Sequence, residues 1–342
     1  MKKILQIDGG GVMGIIPATV LADLEKKLGK PLYECFDLIT GISTGAIIGG
    51  AIAAGVPAEK ILRLYVDKGK KLATRRPLWN PKNWKRSKYD RQPFLAEIAK
   101  LETEDKDEFG NLIPLSELKL SDLKTRFISS SFNICSQRTH FFKSWEEQRK
   151  YRLVDVISWS ALSSAYYFGE INVENYEWCH YQPDHYEQCQ CNHEEGSVNL
   201  IRKKGAIFQD AGQSIHNNAL IHLLVEMLAN GWATASEEIS ILSLGSGNLD
   251  QYISYHKATE KMKKKRFQSS LPAIDNNFIV DQVLATVHVS RTNPKIQFKR
   301  IDTILKEEEY GMDKVEHTAR YKQYGIELAL QITDDVIETL QS

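Results

Sequence analysis

The chain has 342 residues, 42% apolar and 26% charged, with 44 basic against 44 acidic side chains. Its length and apolar content supply core for one large or two modest domains, while the even charge removes any argument from net charge for a nucleic-acid partner. No apolar run reaches the length of a membrane span, and five cysteines, an odd number, argue against a secreted disulfide scaffold. The N-terminus enters a strand directly, with no signal-peptide pattern. The expectation is a cytoplasmic protein that meets membranes only at their surface.

Lys3 to Ile7 is a short β-rich run, and Asp8-Gly9-Gly10-Gly11-Val12-Met13-Gly14 follows at once. From Ile15 to Leu28 apolar residues recur with a helical period, and Pro17 fits the first turn, where no N–H is needed. Phe36 to Thr40 predicts a second strand, and it closes on Gly41-Ile42-Ser43-Thr44-Gly45 before the small-residue helix Ala46 to Ala54. Strand, glycine loop, helix, strand, turn, helix is the opening of a doubly wound α/β protein.

G-x-S-x-G between a strand and a helix is a nucleophile elbow. The strained turn lifts the serine oxygen clear of the sheet, and the helix N-terminus favours a developing alkoxide. The competing reading is a small-residue turn with an idle serine. Gly9, Gly11 and Gly14 also satisfy G-x-G-x-x-G, but a dinucleotide site needs an acidic residue closing the second strand, and this strand closes on Thr40-Gly41. Consecutive glycines at a helix start expose backbone N–H groups, which suits an oxyanion hole built from Gly9, Gly10 and Gly11.

Pro57 to Leu72 and Gln92 to Lys100 have helical patterns. Between them, Arg75 to Tyr89 holds six basic residues, Trp79, Trp84 and no acid. Arg75, Arg76, Trp79, Trp84, Lys85 and Arg86 suit an anionic membrane surface. A solvated loop packing its aromatics on the domain is the alternative, and nucleic acid is disfavoured because no reader module surrounds it. Phe109 to Ser116 reads as a loop, Thr125 to Ile134 and Thr139 to Trp145 as a hairpin, Tyr151 to Ser163 as a helix, and Glu170 to Val173 as a strand.

An insert at about residues 175–200 carries Cys179, His180, His185, Cys189, Cys191 and His193. Cys179, His185, Cys189 and Cys191 could hold a structural zinc, although the spacing is not a common zinc-finger one. A polar surface insert is the alternative. Gly205 to Gln209 is a strand ending in Asp210-Ala211-Gly212, where an α/β sheet places a catalytic acid or base. Leu220 to Asn230 is helical, Glu238 to Leu244 a strand closing on Gly245-Ser246-Gly247, and Lys257 to Arg266 a basic run of solvated character. Asn277 to Val289 predicts a helix, Lys295 to Ile301 a strand, and Tyr324 to Leu340 one amphipathic helix.

Asp8-Gly9-Gly10-Gly11, Gly41-Ile42-Ser43-Thr44-Gly45 and Asp210-Ala211-Gly212, in this order, resemble the patatin-like phospholipases. The resemblance extends through Ser164 to Phe168, Asn217-Asn218-Ala219 and the strand into Gly245. It implies a three-layer α/β/α fold with a mostly parallel central sheet. It also implies a serine–aspartate dyad, Ser43 and Asp210, that hydrolyses fatty-acyl esters of membrane phospholipids with no cofactor. Two departures stand out: Met13 replaces a basic residue common in the family, and Ala-Gly follows the aspartate where Gly-Gly or Gly-Ala is usual. The expected organisation is a single hydrolase domain over residues 1–342, with the Cys/His insert and a helical portion at about 250–342.

Some bacterial relatives of this kind are membrane-degrading effectors of antiviral defence switched on by cyclic nucleotides, which makes a cyclic-nucleotide activator an expectation here. Two rivals remain: a Ser–Asp–His triad drawing on His216, His222 or His288, and a nucleotide-regulated scaffold module using the glycine loop.

Overall fold

The computed structural model describes residues 1–76, 87–181, 200–213, 218–232, 237–249 and 271–341. The strands are β1 Lys2–Ile7, β2 Leu38–Gly41, β3 Glu102–Lys106, β4 Leu112–Pro114, β5 Arg126–Asn133, β6 Arg138–Lys143, β7 Ile171–Tyr181, β8 Leu200–Asp210, β9 Ile239–Leu244, β10 Asn248–Leu249, β11 Ile296–Ile301 and β12 Ile304–Leu305. The α-helices are α1 Ile15–Leu28, α2 Thr44–Ala53, α3 Ala58–Lys68, α4 Gln92–Ala99, α5 Leu153–Ala161, α6 Leu220–Ala229, α7 Leu271–Thr292, α8 Thr318–Ala329 and α9 Asp334–Gln341.

An eight-stranded sheet runs in the order β11-β9-β1-β2-β5-β8-β7, with β6 also paired to β5. From β11 to β5 the pairings are parallel, while β6, β8 and β7 join antiparallel. Both faces are covered, so β1 carries apolar side chains on both. Leu5 and Ile7 enter the large cluster with α1 and α2, while Ile4 enters the second cluster with Leu220, Leu223 and Met227 of α6. Burial on two faces is the condition that lets parallel strands persist, and it yields the expected three-layer α/β/α arrangement.

The parallel half follows the strand and helix pattern of the sequence closely. Three differences have physical causes. The expected loop at Phe109 to Ser116 contains β4, which pairs with β3; β3 is Glu-Thr-Glu-Asp-Lys with only Thr103 buried, so no apolar alternation announces it. The single C-terminal helix is two, α8 and α9, because Thr333-Asp334-Asp335 restarts the helix, with acids in its first turn as the helix dipole favours. The C-terminal portion is also not merely helical. Its strand β11 forms the edge of the main sheet, in register with β9 from Ile296–Ile239 to Ile301–Leu244.

Trp79, Trp84, Lys85 and Arg86 lie outside the described residues, as do His185, Cys189, Cys191, His193, His216 and the basic run 257–266. No helix among the described residues is long and apolar enough to cross a membrane.

Candidate active site

Ser43 stands between the end of β2 and the start of α2, at φ 53° and ψ −122°. It is one of two non-glycine residues with positive φ among those described, a state that costs an L-residue about 1–3 kcal/mol and persists where the surroundings over-determine it. Here they do. The Gly45 N–H donates to the Ile42 carbonyl (2.8 Å) and the Ala46 N–H to the Ser43 carbonyl (2.8 Å). Ser129 Oγ donates to the Gly41 carbonyl (2.9 Å), tying the turn to β5. A Cβ on Gly41 would overlap the Gly45 backbone, and one on Gly45 would overlap the Ile7 carbonyl, so the elbow packs directly on the end of β1.

Asp210 reaches the same place from the other half of the sheet. β8 runs antiparallel to β5, with Asp210 opposite Ser131, so its C-terminal end returns toward the elbow. Ser43 Oγ donates to Asp210 Oδ2 at 2.7 Å, and the Gly212 N–H donates to Oδ1 at 2.8 Å. The Ala-Gly sequence after the aspartate thus keeps a working backbone donor. Both side chains are buried, at 3% and 2% exposure. Burial pushes the Asp210 carboxyl up to about 7, and the hydrogen bonds from Ser43 and Gly212 only partly offset it.

Gly11 lines the same pocket as Ser43 and Asp210, together with Leu72, Ser164, Tyr167, Phe168 and Met312. Among the described residues the N–H groups of Gly10 and Gly11 find no acceptor, and the Ser164 hydroxyl is buried without a partner. The glycines are required sterically, since a Cβ on Gly10 would strike Ser246 and one on Gly11, at φ +58°, would strike Met312.

Asp8, immediately before the loop, sits in a buried polar network that sequence reasoning missed. Its Oδ1 accepts from Gln6 Nε2 (2.8 Å) and Asn218 Nδ2 (2.9 Å), and its Oδ2 accepts from Arg300 Nη2 (2.5 Å). The same guanidinium donates to Asp302 Oδ2 (2.6 Å) and to Ser243 Oγ (2.8 Å). Met13, in the position of the absent basic residue, is buried apolar filling, and the cation at the loop comes from β11. Arg300 lies within an expected strand, but nothing local marks it as reaching Asp8, 292 positions away.

The other expected residues fall elsewhere. His222 stacks on Phe141 with ring centroids 3.9 Å apart, and His288 lies on α7. Among the described residues no histidine hydrogen-bonds to Ser43 or Asp210. Arg75 pairs with Tyr89, and the Arg76 guanidinium lies 3.9 Å from Asp90. Cys179 lies on β7, and its expected zinc partners lie outside the described residues.

The patatin-like phospholipase family profile matches residues 5–224. A cGAMP-activated phospholipase of Pseudomonas aeruginosa is 31% identical over 173 residues, 48% of this chain and 47% of that protein. A cUMP-AMP-activated phospholipase of Escherichia coli is 46% identical over 65 residues, 19% of this chain and 20% of that one. Patatin-like protein 2 of Arabidopsis thaliana is 27% identical over 297 residues, 78% of this chain and 63% of its own. In each case the match spans less than two thirds of the relative's length. With the matched stretch running from β1 into α6 and so carrying the glycine loop, the elbow and Asp210, the chain belongs to the patatin-like phospholipase family.

Proposed function

We propose that this protein is a serine lipid acyl hydrolase that cleaves fatty-acyl esters of membrane phospholipids through Ser43 and Asp210. The observation that carries the reading is the 2.7 Å hydrogen bond from Ser43 Oγ to a buried carboxylate, beside a glycine loop with open N–H groups. In the first step Ser43 Oγ bonds to the ester carbonyl carbon and its proton passes to Asp210. The carbonyl oxygen takes up the negative charge, and the N–H groups of Gly9, Gly10 and Gly11 hold it. The C–O bond to the lipid alcohol then breaks, and the alcohol leaves with the proton from Asp210. A water molecule repeats the sequence on the acyl-serine and releases the fatty acid. Burial helps here, because a carboxylate raised to about 7 is a far stronger base than one near 4.

The two bacterial relatives are named for activation by cyclic nucleotides, and that supports a cyclic-nucleotide activator for this chain. The basic, tryptophan-containing stretch from Arg75 to Arg86 would set the enzyme on the anionic inner face of the membrane. The deciding experiment is fatty-acid release from mixed anionic liposomes by wild type and Ser43→Ala, with and without a panel of cyclic dinucleotides. Release by the wild type that vanishes in the variant is expected. Equal release by both proteins would overturn the assignment of Ser43, and dinucleotide binding without release under any condition would favour a scaffold module.

A further inference from the structure

The space at Ser43 does not fit the substrate its chemistry calls for. The cavity measures about 20 Å³, room for a single water, which needs about 10–15 Å³. Not even a short acyl ester enters it. Met312 closes it. The Met312 carbonyl accepts the Val12 N–H at 2.9 Å, which seats the residue on the glycine loop against Gly11. Leu72, Tyr167 and Phe168 complete the apolar cover.

Met312 is held from two sides. On one, the Glu309 carbonyl accepts from Tyr321 Oη (2.5 Å) and its carboxylate from Tyr324 Oη (2.8 Å), anchoring the segment to α8 through buried groups. On the other, Asp313 Oδ2 accepts from Lys88 Nζ (2.6 Å) and from Tyr89 Oη (2.6 Å). The Lys88 ammonium lies 5.0, 5.7 and 5.9 Å from the ring centroids of Tyr89, Tyr166 and Tyr167. Tyr167 therefore belongs both to this cage and to the pocket wall. Tyr89 is buried in the core, while Lys88 is 30% exposed and Asp313 16%, so at this end the tie between Lys88 and Asp313 is partly solvated and can be released without unfolding the core. Met312 and Asp313 also lie beyond the stretch matched to the family.

We propose that Met312 and Asp313 form a lid latched by Lys88 and Tyr89, and that release of Asp313 opens the acyl pocket over Ser43. The inference rests on the reading of Ser43 as a nucleophile. Burial pushes the Asp313 carboxyl up, but the hydrogen bonds from Lys88 and Tyr89 outweigh it and hold it below the usual range, as a closed latch requires.

The test measures how fast a small fluorophosphonate labels Ser43, by intact mass, in wild type, Asp313→Ala, Lys88→Met and Asp105→Asn. In the labelling step Ser43 Oγ bonds to phosphorus and fluoride leaves, while the proton goes to Asp210. Asp105→Asn is the control, since it removes an ion pair with Lys124 outside the pocket. The same proteins are followed by amide hydrogen exchange of the peptide containing Val12, whose N–H the lid covers. Asp313→Ala and Lys88→Met are expected to label about 10-fold faster or more, the effect of a 1.4 kcal/mol shift in the opening equilibrium. They should also exchange faster at Val12, with Asp105→Asn at the wild-type rate in both. Unchanged exchange at Val12 overturns the lid whatever the labelling does. Faster exchange with no labelling of Ser43 in any protein supports the lid and overturns the nucleophile instead.

Discussion

At φ 53° and ψ −122°, Ser43 occupies backbone space that glycine enters freely and serine does not. The strain is the local cost of presenting Oγ to Asp210. Ser43→Gly should therefore abolish ester hydrolysis while unfolding about 1 kcal/mol later than Ser43→Ala in denaturant titrations. Asp210 carries a comparable cost in its charge. Its folded pKa, raised to about 7 by burial, lies above an unfolded value near 3.9. Its contribution to stability is therefore intact below about pH 4 and is lost as pH rises toward about 7. Asp210→Asn keeps the shape without the charge, so its advantage in Tm over the wild type should grow across that window and then level off. Its kcat should fall by about 10³–10⁴-fold. The wild-type kcat/KM should climb about tenfold per pH unit up to about 7 and flatten above, since only the ionised carboxylate accepts the serine proton. An activity flat from pH 5 to 8 would remove Asp210 from the role of base.

At the scale of elements, the site is a junction of three strand ends. β1 delivers the glycine loop, β2 the elbow and β8 the aspartate, and the distances between them depend on backbone contact. Gly45 presses on the Ile7 carbonyl so closely that no side chain fits between. Gly45→Ala must push α2 off β1, and a loss of about 3 kcal/mol or more is expected, in the range reserved for overpacked or strained positions. Circular dichroism melts would register it. The element pattern around this junction was legible in the sequence, because an apolar strand period, a glycine turn and a helical period are each written within a few residues. The β3–β4 hairpin was not, since exposed charged strands carry no alternation, and neither was the break between α8 and α9, where Thr333-Asp334-Asp335 interrupts a continuous apolar period.

For the molecule as a whole, the portion beyond the family-matched stretch is part of the site. β11 completes the sheet edge, Arg300 on it neutralises Asp8 beneath the glycine loop, and Met312 lines the pocket at Ser43. Arg300 is bound to two carboxylates, the buried Asp8 and the partly buried Asp302. Arg300→Met leaves both without a counter-charge, and breaking the buried pair with Asp8 in this way costs about 3–5 kcal/mol. Chemical denaturation of the variant should show that loss. The double variant Asp8→Asn with Arg300→Met should recover part of it, because the uncompensated charge under the loop is then gone. A double variant no more stable than the single one would mean that Arg300 acts through packing alone.

Local chemistry determined the first half of this protein. A glycine run after a strand, a serine in a turn before a small-residue helix and an aspartate at a strand end carry the likeness to the family and nominate the reacting groups, because each pattern is written within a few consecutive residues. Strand order decided the rest. Ser43 meets Asp210 across 167 positions because β8 turns antiparallel beside β5, and Arg300 meets Asp8 because β11 and β9 stack beside β1. Such pairings depend on how distant strands close into one sheet, and a hydrophobic period with a span of a few residues carries no record of its neighbours.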